Sequence, residues 1–316
     1  MFSWLSNASA LETTKAATRA GFVELVLEKS RRATPHVARA RALRAAITSL
    51  ADARALLSSP ISQNVLLAAA GVSDKAAAHL DQGDKREALA ALISQVLEPE
   101  GDSWRDELVY RFLLTRGDTL GGEMRNVVGA LGQRKLSRAL VAALQLTATS
   151  FSWRDGGVKT WLPGQSATAG IENDLNGLTW NGAQGARTLL FNLTPPRFSK
   201  NIDLCLVALD ASASTTHKEL RIALSEPELY VAFGELKSGF DPAGADEHWK
   251  TAQSALVRIR ENYREFNPAT FFIGAAIVPG MAQEIWTQLQ SGTLSCAANL
   301  NDELQLAGLC AWLTSQ

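Results

Sequence analysis

The chain has 316 residues, a formal net charge of −1, 46% apolar and 20% charged side chains. That length allows one large domain or two ordinary ones, and that composition excludes wholesale disorder. Near-neutral charge excludes a polycation but not a nucleic-acid binder, because acidic residues elsewhere can cancel a local basic face in the total.

The N-terminal stretch MFSWLSNASALETTK has no basic region followed by a sustained apolar core, so no signal peptide is expected. The densest apolar run, FFIGAAIV at 271–278, has the length of a strand rather than of a membrane span. The three cysteines, Cys205, Cys296 and Cys310, fit no zinc spacing and lie among apolar residues. Reduced core thiols in a cytoplasmic protein are the expectation, with no membrane partner.

The first hundred residues are rich in Ala, Leu, Arg and Glu. Helical periodicity runs through 9–29, 36–57, 62–70, 74–80 and 84–97. In the last of these, Leu89, Leu92, Ile93, Val96 and Leu97 share one face, and Asp74 and Asp84 are helix starts. Residues 29–44, KSRRATPHVARARALR, hold six Lys or Arg residues and no acid. They form either a solvated helix face or a surface that tracks phosphates.

A turn at 97–103 precedes a further helix at 104–115. In RGDTLGGEMRN (116–126), Asp118 or Thr119 is expected to cap a new helix. Gly121 and Gly122 then allow close approach, and Arg125 and Asn126 fall near the first turns. This is either a contact with phosphate or base edges or a tight helix–helix turn. No Gly-Lys-Ser/Thr follows, so it is not a Walker loop.

Beyond residue 150, Gly, Asn and Thr become frequent and β-rich runs occur at 187–193, 202–209, 228–236 and 270–278. Helical patterns follow at 246–266 and 280–290. Strands alternating with helices predict an α/β fold with a mixed sheet, preceded by an N-terminal helical domain at 1–100 and continuing over 101–316. Trp153, Trp161 and Trp180 are placed in Gly-containing loops, with core packing favoured over stacking on DNA. His36 and His79 show no ligand spacing, and His217 in the TTHKE loop is expected at the surface.

The chemistry-bearing segment is GELKSGFDPAGADEHWK at 234–250. Glu235 and Lys237 are two apart on a predicted strand and therefore share a face. Alone, the pair can be an ordinary same-face ion pair. Asp203, at the start of the apolar run IDLCLVAL, is costly to bury without a partner. Beside Glu235 it would make a two-carboxylate oxygen site suited to Mg²⁺, with Lys237 placed to orient water and offset phosphorane charge. His248, after the DPAG turn, can return to the phosphate as a water-positioning group or general base.

These residues, together with KNIDLCL and DELVYRFLLTRGDTLGGEMRN (106–126), resemble the AvaI/BsoBI group of type II restriction endonucleases, within the PD-(D/E)XK nuclease superfamily. The similarity spans about residue 70 to about residue 275. The resemblance implies an α/β core of the PD-(D/E)XK type, with a central mixed β-sheet flanked by helices. It implies metal-binding acids at Asp203 and Glu235, the motif lysine at Lys237 and an active-site histidine at His248. No Pro directly precedes Asp203; the Pro pair is at 195–196. Asp241 would sit near the bases, and Lys75 resembles a DNA-contacting loop lysine. Arg125 and Asn126 gain weight as DNA contacts. The resemblance further implies a homodimer that encircles duplex DNA, with a DNA-clasping, dimer-related N-terminal domain. It would cut a short palindrome, CYCGRG-like, with Mg²⁺ and leave 5′-phosphates; a cognate DNA methyltransferase would be its genetic partner. Two alternatives remain at this point: a structure-specific repair or recombination nuclease of the same superfamily, and a non-catalytic DNA-binding protein whose acids form structural ion pairs.

Overall fold

The computed structural model describes residues 4–147, 149–167, 170–214 and 216–316; the side chain of His217 lies outside the described set. Contacts group the chain into two compact units, Val23–Val127 and Met1–Phe22 with Val128–Gln316. The breaks lie at 22/23 and 127/128, away from the expected domain boundary at residue 100.

The Val23–Val127 unit is helical. It contains most of α1 (Lys15–Ile47), then α2 (Gln63–Ala69), α3 (Asp74–Ala77), α4 (Gln82–Ala91) and the first part of α5 (Trp104–Leu146). Leu43, Ile47, Leu67, Ile93, Leu97, Trp104, Leu108 and Phe112 form its core. The 29–36 stretch does not interrupt the helix: Pro35 lies inside α1. Its missing N–H forfeits one hydrogen bond on a largely exposed stretch. α4 starts one turn before the expected Asp84, because Asp81 accepts from the N–H groups of Gly83 and Asp84 while Asp84 reciprocates, a capping box.

The glycine-rich 116–126 stretch also departs from expectation. It starts no helix; α5 runs unbroken through it, and Thr119 Oγ1 bonds back to Thr115 O at 3.0 Å instead of capping. A helix-interior glycine costs about 1 kcal/mol, while Leu120, Met124 and Val127 are buried on one side. The apolar periodicity wins.

The second unit is built on a sheet. After α5 come β1 (Phe151–Asp155), β2 (Trp161–Pro163), β3 (Leu175–Gly182), β4 (Gly185–Leu193), β5 (Ile202–Val207), α6 (His217–Ala223), β6 (Tyr230–Lys237), α7 (Ala245–Asn262), β7 (Ala269–Gly274), α8 (Pro279–Gln290), β8 (Cys296–Asn299) and α9 (Glu303–Ser315). Among the described residues the strands form one eight-stranded mixed sheet in the order β2-β1-β3-β4-β5-β6-β7-β8. Pairing is antiparallel up to β6 and parallel from β6 to β8. The tryptophans expected in loops are on strands instead: Trp153 on β1, Trp161 on β2 and Trp180 on β3. Trp153 and Trp180 are buried, as core packing requires.

Each face of the sheet has its own core. Leu204 and Leu206 of β5 pack with Leu136, Leu140 and Leu144 of α5 and Leu309 and Leu313 of α9. Cys205 and Val207 point the other way, with Phe233, Trp249, Leu256 and Ile259 and with Ile285 of α8. The period-two alternation of a strand carries this division. All three cysteines are buried and unpaired. No helix of the described residues is long and apolar enough to cross a membrane.

Candidate active site

β5 and β6 run antiparallel with Leu204 opposite Gly234. One step outward, this register sets Asp203 against Glu235, on the same face as Lys237. Asp203 Oδ2 accepts from the Leu236 N–H at 2.9 Å and from Lys237 Nζ at 3.0 Å, and the same Nζ donates to Glu235 Oε2 at 2.6 Å. Two carboxylates from neighbouring strands thus share one ammonium. Gly234 is required just before them, because a Cβ there would run into the buried ring of Phe271 on β7.

The electrostatics follow from burial. Glu235 is only 4% exposed. Desolvation, then the charge of Asp203, raises its pKa from 4.5 to about 7 against the opposing pull of Lys237. Burial alone would lower Lys237, but the two carboxylates outweigh it and hold the ammonium above its ordinary value. Cys205, on the Asp203 face of β5, is fully buried, and desolvation followed by the same carboxylates keeps it a thiol. It offers no nucleophile.

The chain leaves β6 through 238–244 into α7. Asp241 caps the turn Pro242–Gly244, its Oδ1 accepting from the Ala243 N–H at 2.9 Å. The first turn of α7 is anchored on its inner side. Trp249 is fully buried, edge-on to Phe272 at 5.0 Å, and its indole N–H donates to Glu284 Oε2 at 2.7 Å. That fixes His248, one position earlier, on the exposed side, folded back over the loop. Its Nε2 lies 3.0 Å from where a Cβ on Gly239 would be and 3.5 Å from that of Gly244. Glycine at both positions makes room for the imidazole.

No group of three His, Cys, Asp or Glu side chains that could hold a metal occurs among the described residues. The Asp203–Glu235 pair still fits a hard divalent cation, which takes one or two carboxylates and completes its shell with water and phosphate. Two carboxylates share the one ammonium of Lys237, so the ionised cluster carries one negative charge in excess.

Asp203, Glu235 and Lys237 are therefore in direct contact, and Asp241 and His248 stand on the loop and helix that follow. The other expected DNA contacts are in the helical unit. Lys75 is exposed on α3, beside Asp74, whose carboxylate binds the buried Arg116 at 2.6 and 3.2 Å. Arg125 and Asn126 are exposed in the middle of α5. Sequence reasoning missed Gly132 of α5, whose bare backbone makes room for the buried Ser238 hydroxyl directly after Lys237. A glycine 106 positions away from its neighbour (238 − 132) leaves no local signal.

The family model described as "Restriction endonuclease BsobI" matches residues 2–316. The chain is 50% identical over 304 residues to the type II restriction enzyme AvaI of Nostoc sp., covering 96% of this chain and 95% of that one. The AvaI enzyme of Anabaena variabilis matches to the same extent. The type II restriction enzyme BsoBI of Geobacillus stearothermophilus is 44% identical over 314 residues, 98% of this chain and 96% of its own.

Proposed function

We propose, from the premise that the chain belongs to the BsoBI family of PD-(D/E)XK restriction endonucleases, that it is a type II enzyme hydrolysing duplex DNA at a short palindrome with Mg²⁺. A CYCGRG-like site, 5′-phosphate ends, action as a homodimer and pairing with a cognate methyltransferase belong to the same proposal. The single observation that carries the chemistry is the shared ammonium of Lys237 between Asp203 and Glu235.

Asp203 and Glu235 would hold the ion. Mg²⁺ bound there would polarise a phosphoryl oxygen and lower the pKa of water. The chain's own groups do the rest. Lys237, kept protonated by its two carboxylates, donates toward the attacking water or a non-bridging oxygen and offsets charge as the phosphorane forms. His248, on the exposed side of α7 and over Gly239, positions water or accepts its proton. Asp241, Arg125, Asn126 and Lys75 are the proposed DNA contacts. The basic 29–44 stretch suits contacts to phosphates that position the duplex without reading it. The test is digestion of a plasmid with Mg²⁺ and with EDTA. Discrete fragments that require Mg²⁺ are expected; a smear, or a preference for nicked or branched DNA, would overturn the site-specific assignment.

A further inference from the structure

The catalytic stretch is poor in free positive charge for an enzyme of a polyanion. Within 234–250, Glu235, Asp241, Asp246 and Glu247 supply four carboxylates against two lysines, and Asp203 adds a fifth from β5. Both lysines are committed, Lys237 to Asp203 and Glu235, Lys250 to Asp246 at 2.5 Å. A duplex held over these residues needs cations from another element.

The start of α1 touches this loop. A Cβ on Gly21 would collide with the ring of Phe240, so the α1 backbone lies directly on the segment after Lys237. Just upstream, Thr13 is fixed to the chain that follows β7. Its N–H donates to Ile277 O at 2.9 Å and its hydroxyl donates to Ala275 O at 3.0 Å. The hydroxyl accepts from the Ile277 N–H and from Asn299 Nδ2, both at 2.9 Å, which fills its one donor and two acceptor positions. The Ala275 N–H in turn donates to Lys237 O at 2.8 Å. Only Ala275 therefore stands between Thr13 and the backbone of the motif lysine. The buried Asn299 also donates to Leu11 O at 2.9 Å, and Gln305 to Ala10 O at 2.5 Å.

Beyond this anchored strap lies a cleft lined by Thr13, Lys15, Thr18, Arg19, Pro242 and Ile277. Lys15 and Arg19 are four apart and share one flank of the helix. Both are exposed, and neither takes part in an ion pair among the described residues. Glu12 also borders the cleft but is paired with neither. Further along the same helix, Arg31 and Arg32 are both tied to Glu28.

We propose that Lys15 and Arg19 form a clamp on the DNA backbone phosphates that flank the catalytic carboxylates, with Thr13 as the residue that positions it. The clamp rests on the endonuclease assignment. Its test is binding of a short fluorescent duplex carrying the mapped cut site, in EDTA, over a salt series. Replacing both cations, Lys15→Ala with Arg19→Ala, should flatten the slope of log affinity against log salt by about 1.8, since each lost phosphate contact removes about 0.9. The exchange Lys15→Arg with Arg19→Lys should keep the wild-type slope, because a phosphate clamp needs charge rather than shape. Thermal unfolding of the alanine variant should match wild type, as both side chains are exposed. A wild-type slope in the folded alanine variant would overturn the clamp while leaving the endonuclease assignment intact. So would a slope lost equally in the charge-preserving exchange. Wild-type protein that neither binds nor cuts duplex would overturn both together.

Discussion

Lys237 Nζ stands 2.6 Å from Glu235 Oε2, on the same face of one strand and two residues away. The contact depends on a third group: Asp203, across the strand pair, holds the same nitrogen at 3.0 Å and its carboxylate also accepts the Leu236 N–H. Lys237 thus holds both carboxylates in place, and both hold it.

Removing Glu235 should separate chemistry from binding. Glu235→Ala deletes one of two carboxylates and leaves exposed DNA-facing groups untouched. Cleavage with Mg²⁺ should fall by at least about a hundredfold, while duplex affinity measured in EDTA stays within a few-fold of wild type. Retained cleavage would take Glu235 out of the mechanism.

The pH dependence of stability has a definite sign. Glu235 titrates near 7 in the fold and at 4.5 when unperturbed. The native state therefore binds more protons than the unfolded chain between these values, and stability falls as pH rises through that window. Lys237 is held above its ordinary 10.5, so its contribution is intact throughout and is lost only at higher pH. Urea unfolding in EDTA at about pH 5 and about pH 8 should show a larger loss for wild type than for Glu235→Gln. Adding Mg²⁺ should shrink that difference by binding the ionised pair. Equal losses in both proteins would contradict the assignment.

Gly239 reports on His248. A methyl group there meets Nε2 at 3.0 Å, and the exposed imidazole can yield only by moving. Gly239→Ala should leave the unfolding midpoint nearly unchanged and lower the cleavage rate, and His248→Ala should do the same. Full activity in both variants would remove His248 from the site.

Gly234 reports on the strands themselves. Its substitution by Ala drives a methyl into the fully buried Phe271 ring, and overpacking of this kind costs about 1–3 kcal/mol. Chemical denaturation of Gly234→Ala should show that loss.

β5, β6 and their acids are legible in the sequence because a carboxylate at the end of an apolar alternating run contrasts with everything around it. Glu235 and Lys237 share a face for the same reason that Leu204 and Leu206 share the other, and the register of β5 on β6 adds Asp203. β1 to β3 are not legible, because Asn and Gly within and between these short runs carry turn chemistry in the local pattern. Their burial comes from pairing between strands and from packing against α5. Gly121 and Gly122 mislead for the converse reason: they look like a break, but buried Leu120, Met124 and Val127 hold the helix through them. Thr13 gives no signal at all, since its partner Ala275 is 262 positions away. Nothing in ALETTK marks a threonine tied to the far end of the chain.

The most direct measurement is cut-site mapping on a sequenced plasmid, wild type beside Glu235→Ala, each with Mg²⁺ and with EDTA. Wild type with Mg²⁺ should give one set of fragments whose ends fall at a single short palindrome, and the other three reactions should leave the plasmid intact. Fragments from Glu235→Ala, cutting in EDTA, or ends scattered without a common sequence would contradict a carboxylate-dependent, site-specific endonuclease.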